Sequence, residues 1–75
     1  MRKTPEDNIG YFFRLRDRGW HSLKRHSIVY VEKYGARRRE FIVYSYADNK
    51  RYAVPLLDFT GSFFYCNPQP KMEKS

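Results

Sequence analysis

Ser27-Ile28-Val29-Tyr30-Val31-Glu32-Lys33-Tyr34, the loop Gly35-Ala36-Arg37-Arg38, and Arg39-Glu40-Phe41-Ile42-Val43-Tyr44-Ser45-Tyr46 form the stretch that decides the fold. Both arms are dense in β-branched and aromatic side chains, which suit a pleated, half-buried surface, and a glycine-containing loop separates them. The pair reads as an antiparallel hairpin. Downstream, Ala47-Asp48-Asn49-Lys50 has turn chemistry, because Asp and Asn tolerate the positive φ of a tight hairpin. Arg51-Tyr52-Ala53-Val54 then reads as a third strand. Pro55 has no N–H to give to a ladder, so this strand ends there or lies at an edge. Gly61-Ser62-Phe63-Phe64-Tyr65-Cys66 adds a fourth strand or covers the core.

Side chains alternate between the two faces of a sheet. With Tyr34 paired near Glu40, one face carries Val29, Val31, Phe41, Val43, Tyr52 and Val54, and is the seat of the core. The other carries Ile28, Tyr30, Tyr34, Ile42, Tyr44 and Tyr46, with Arg51 beside them. Two uses of that second face compete. It is a stacking and docking surface, or it is a second core layer covered by Phe59, Phe63, Phe64 and Tyr65.

Upstream, Thr4-Pro5-Glu6-Asp7 has the chemistry of a helix start: a hydroxyl cap, Pro at the first helical position, then two acids against the positive end of the dipole. Leu15-Arg16-Asp17-Arg18-Gly19 has that of a helix end. Between them Ile9, Phe12 and Phe13 share a face at helical spacing, with Leu15 at its margin. A strand pattern competes, since Tyr11, Phe13 and Leu15 alternate with Arg14 and Arg16. The end signals favour the helix. The expected fold is therefore α+β, an N-terminal helix packed on a three- to four-stranded antiparallel sheet. The alternative is all-β, a small SH3-like barrel. Trp20 to His26 is a connector or a short first strand. Residues 1–66 are expected to form one small domain, and 67–75 a flexible C-terminal tail.

At 75 residues with one cysteine, Cys66, the chain forms no internal disulfide and offers no cysteine-rich zinc site. The core must come from apolar side chains, and aromatic residues make up 19% of the sequence. Net charge is +7, from 15 Lys and Arg, nine of them Arg, against 8 Asp and Glu. That balance suits an anionic partner, and the forked guanidinium suits phosphate or carboxylate. No apolar run reaches the length of a membrane span, and Met1 to Glu6 lacks the apolar core of a signal peptide, so a cytoplasmic location is expected.

Three basic sets stand out: Arg37, Arg38 and Arg39 at the hairpin tip; Lys50 and Arg51 at the next turn; and Arg14, Arg18, Lys24 and Arg25 near the expected helix end. Bases stack on aromatic rings beside cations, so Tyr30, Tyr44 and Tyr46 are the candidate base-contacting residues. Each set also has a plainer use, as solvated charge or as core aromatic.

Chemistry has no visible seat. His21 and His26 lack a second ligand at metal-binding spacing, Cys66 has no neighbouring base, and the carboxylates are scattered. No enzyme activity, metal, cofactor or small-molecule substrate is expected. The expectation is a non-catalytic nucleic-acid-binding protein, for DNA or RNA. The alternative is a phage-like or mobile-element regulator that docks on an acidic surface of a larger host complex.

A helix, Gly19-Trp20, a basic stretch with His26-Ser27, and strands ending in Tyr52-Ala53-Val54-Pro55 together resemble in outline the small HicA-type mRNA interferase toxins. The resemblance covers about half the chain. It implies a fold like that of double-stranded-RNA-binding domains and a catalytic histidine, here His26. Where that family carries Gly-Ser-His, this sequence reads Arg25-His26-Ser27.

Overall fold

The computed structural model describes residues 4–16 and 19–61, and the backbone of 69–70. The elements run 3-10 helix Pro5–Asn8, β1 Tyr11–Arg14, β2 Ile28–Gly35, β3 Glu40–Ser45, β4 Lys50–Pro55, α1 Leu56–Thr60 and β5 Gln69–Pro70. Four strands make an antiparallel meander in the order β4-β3-β2-β1, and the two-residue β5 pairs with the outer side of β1. The fold is a small, mostly-β member of the α+β class. Its helix follows the sheet.

The expected N-terminal helix is replaced by β1. The signals at Thr4-Pro5 are genuine but start only one 3-10 turn, whose end is tied by the Asn8 side chain donating to Thr4 O at 3.2 Å and Pro5 O at 3.1 Å. Gly10 then adopts φ 90 and donates its N–H to Val31 O at 2.8 Å, which turns the chain into the sheet. From Tyr11 the period-two pattern wins, with Phe12 paired to Tyr30, Phe13 to Val29 and Arg14 to Ile28. A helix here would leave the β2 edge unpaired, whereas the strand satisfies that edge and still buries Phe13 and Leu15.

The same change removes the helix cap expected at Gly19. A Cβ there would lie 2.5 Å from Leu23 O, so this glycine permits a close backbone approach. Trp20 and Leu23 exchange two backbone hydrogen bonds of 2.9 Å across a tight turn at His21-Ser22. The segment 19–27 is thus a connector folded over the core, with Trp20 and Leu23 buried.

The hairpin and third strand expected from sequence form, and β4 lies at the edge of the meander, as Pro55 requires. Val29, Val31, Phe41, Val43 and Val54 share the buried face. Phe59 of α1 completes it, its ring centroid 4.7 Å from that of Phe13 and 4.3 Å from that of Phe41. Two ties hold this cover in place. Leu56 N–H donates to Arg39 O at 2.8 Å, and the Trp20 indole donates to Asp58 Oδ2 at 3.0 Å, joining α1 to the connector.

One register expectation is corrected. Val31 pairs with Val43 but Lys33 with Ile42, so β2 carries a bulge between Val31 and Lys33. Strict alternation from Val29 and Val31 would send Lys33 into the core. The extra residue instead pairs Tyr34 with Phe41, their rings 4.8 Å apart, and leaves Lys33 exposed. Tyr34 therefore packs against the core and does not belong to the opposite, Tyr-rich face.

Candidate nucleic-acid interface

Four residues in cross-strand register build the face opposite the core. Phe12 of β1 pairs with Tyr30 of β2, Tyr30 with Tyr44 of β3, and Tyr44 with Arg51 of β4. Because paired residues point to the same side of a sheet, their side chains form one row across the meander. Ring centroids are 5.0 Å apart for Phe12 and Tyr30, and the Arg51 guanidinium lies 5.3 Å from the Tyr44 centroid, within cation–π range. Tyr46, on the turn just after β3, extends the row: its ring is 5.0 Å from Tyr44 and 6.0 Å from Phe12. Phe12, Tyr30 and Tyr44 are half-buried; Tyr46 is 50% exposed.

The polar groups of this face are ordered. Arg51 Nε donates to Glu32 Oε1 at 2.8 Å, and this bond together with the Glu32 charge raises the guanidinium pKa further. Tyr44 hydroxyl donates to Asn49 Oδ1 at 3.0 Å; Asn49 holds the positive φ, 58, expected of this turn. Tyr30, Glu32, Tyr44, Tyr46, Asn49 and Arg51 line an open depression of about 530 Å³. Such a floor of rings with a donor and an acceptor at its edge can stack a planar group and hydrogen-bond its rim.

Sequence reasoning placed Tyr30, Tyr44, Tyr46 and Arg51 here, and the structure brings them together. Phe12 joins them from β1, where the sequence signals favour a helix, and Glu32 joins them two residues along β2 from Tyr30, on the same face by alternation. Of the aromatic residues expected to cover the face, Phe59 sits in the core on the other side of the sheet. Phe63, Phe64 and Tyr65 lie outside the described residues.

The basic sets divide between the two ends of the sheet. Arg37, Arg38 and Arg39 are exposed on the β2–β3 turn, where Arg39 has φ 53. Lys50 and Arg51 lie at the other end of β3, about 17 Å away at strand rise, so these sets form no single patch. Arg14 ends β1 on the aromatic face, exposed and paired with Ile28. Lys24 and Arg25 are exposed on the turn that leads into β2, at the same end of the sheet as Arg14. This set sits at a strand end, not a helix end, and Arg18 lies outside the described residues.

His26 has φ 72, donates its N–H to Leu15 O at 2.9 Å, and lines a cleft of about 240 Å³ with Arg14, Leu15 and Arg16. The HicA-type outline opens on a helix where this chain has β1. His21 packs edge-on against Trp20 at 4.1 Å. Cys66 lies outside the described residues. Among the described residues no three His, Cys, Asp or Glu side chains gather as a metal site. No helix of the described residues is long and apolar enough to cross a membrane.

A separate polar chain pins the connector to the sheet on the core side. Ser22 Oγ and Tyr52 hydroxyl are 2.7 Å apart, and Tyr52 hydroxyl donates to Asp48 Oδ2. That bond holds the Asp48 carboxyl below the usual aspartate range and pushes the Tyr52 phenol up.

No protein-family model, characterised protein or solved structure matches this chain.

Proposed function

We propose that this protein binds single-stranded nucleic acid on the Phe12–Tyr30–Tyr44–Arg51 face and performs no reaction on it. The cross-strand row carries the reading. Each base offers a π-face to an aromatic ring whatever its identity, and each such stack contributes about 1–3 kcal/mol. Four strands at about 4.8 Å spacing span about 14 Å, room for roughly two or three bases laid across the strands. Phosphates then run toward Arg14, Lys24, Arg25 and Lys50 at one end and toward Arg37, Arg38 and Arg39 at the other. The net charge of +7 supplies the long-range attraction.

Titrating short single-stranded DNA and RNA over a salt series tests this. Affinity is expected to fall log-linearly with salt, with a slope of about −0.7 for each phosphate neutralised. Absence of binding to every oligonucleotide at low salt overturns the reading and transfers the aromatic, arginine-rimmed face to an acidic protein partner.

A further inference from the structure

We propose that the depression beside Tyr44 reads a guanine base, through the Glu32 carboxylate and the Arg51 guanidinium together. The inference rests on the nucleic-acid reading above and adds a base preference to it. Its starting point is a misfit: Glu32 is a carboxylate on the surface assigned to a polyanion, in a chain of net charge +7. Phosphates are repelled by such a group. Alternation along β2 puts it on the same side as Tyr30, two residues before it.

Hydrogen-bonding inventory then selects the ligand. Arg51 Nε engages Oε1 of Glu32 at 2.8 Å, and that bond uses neither Oε2 nor the two terminal guanidinium nitrogens of Arg51. The pair therefore presents an acceptor directly beside a fork of donors, fixed in order along one edge of the depression. Guanine carries the complement in sequence around its rim: N2–H and N1–H donate, then O6 and N7 accept. Adenine places an acceptor at N1 where the carboxylate needs a donor, and cytosine places acceptors at O2 and N3. Uracil and thymine offer one donor between two acceptors and satisfy the pair only in part. A guanine stacked on Tyr30 or Tyr44 thus satisfies the remaining carboxylate oxygen and the guanidinium fork at once, whereas other bases leave one of them without a partner.

The test uses the intact protein and short oligothymidylates with one central dG, dA, dC or deoxyinosine, measured by fluorescence anisotropy at low salt. The dG oligomer is expected to bind about tenfold more tightly than the dA oligomer, the scale of one good bidentate contact. Deoxyinosine, which lacks only the N2 amino group, should fall between them. In Glu32→Gln the dG preference should vanish, so that the dG and dA oligomers bind alike. Equal binding of all four oligomers by the wild-type protein overturns the base preference and leaves the nucleic-acid reading standing. A dG preference that survives Glu32→Gln overturns the role of Glu32, and no binding of any oligomer overturns both readings.

Discussion

Arg51 and Tyr44 are register partners on neighbouring strands, and the guanidinium of one lies 5.3 Å from the ring centroid of the other while Glu32 holds it by a 2.8 Å bond. A cation fixed over one edge of an aromatic row is ordered before any ligand arrives. Side chains held in this way lose less freedom on binding. The two faces of the sheet consequently have different demands on their aromatic residues, and substitutions should separate them.

Phe59→Ala should remove the ring that closes the core against Phe13 and Phe41, at a cost of about 3–5 kcal/mol in folding stability. Tyr44→Ala, on the half-buried face, should cost binding of single-stranded nucleic acid about 1–3 kcal/mol with a much smaller loss of stability. Melting curves and binding isotherms on both variants check the contrast. An unfolded Tyr44→Ala would assign that ring to a second core layer.

Gly19 and Gly35 should respond differently to alanine. At Gly19 the new Cβ would meet Leu23 O at 2.5 Å, and that oxygen is backbone held by the Trp20–Leu23 turn, so the turn must open. At Gly35 the nearest atom is Glu40 O at 3.8 Å, an ordinary contact. Gly19→Ala should lower stability by about 1–3 kcal/mol, the usual cost of forced overpacking, and Gly35→Ala by less than about 1 kcal/mol. Denaturant unfolding of the two variants measures the difference.

The Asp48–Tyr52 bond should shape the pH dependence of stability. The Asp48 pKa is lowered on folding, chiefly by the Tyr52 hydroxyl, so its contribution is present above the unfolded-state pKa and is lost as pH falls through the folded value. The Tyr52 pKa is raised, chiefly by Asp48, so its contribution is present below the unfolded-state pKa and is lost as pH rises through the folded value. Tyr52→Phe should flatten both the acidic and the alkaline limbs of a Tm-against-pH profile. Limbs identical to those of the wild type would show that the bond is not populated in solution.

Which parts of this architecture could be read from sequence follows from how many signals act on each residue. In β2, β3 and β4, β-branched and aromatic residues alternate beside turn residues, and every local preference points to the same pairing. Between Ile9 and Leu15 two periods overlap within a few residues, and the helix-start chemistry of Thr4-Pro5-Glu6-Asp7 tips the balance locally. The edge of β2 reverses it, a tertiary effect that propensity does not contain. The bulge was illegible for a similar reason: nothing in Val31-Glu32-Lys33-Tyr34 distinguishes it until Phe41 requires a buried partner. Tyr30, Tyr44, Tyr46 and Arg51 were legible as site residues because their strands were. Phe12 was not, since it depends on β1; Glu32 shares a face with Tyr30 by alternation, but its link to Arg51 joins two strands that are not neighbours in the sheet and leaves no mark in the sequence.

Replacing Arg37, Arg38 and Arg39 together by Ala should leave the melting temperature nearly unchanged, because all three are exposed on a turn that adds no side chain to the core. If they meet phosphates, the log-log salt dependence of binding should become shallower by about 0.7 for each contact removed. An unchanged slope would make them solvated turn charges.

The most direct measurement is a map of backbone and aromatic NMR shifts as a short single-stranded oligonucleotide is titrated into the labelled protein. The account predicts that shifts concentrate on Phe12, Tyr30, Glu32, Tyr44, Tyr46 and Arg51, with weaker changes at the arginine turns, and that Phe13, Trp20 and Phe59 remain still. Shifts centred on the Trp20 and α1 side, or none anywhere while the oligonucleotide is in excess at low salt, would contradict it.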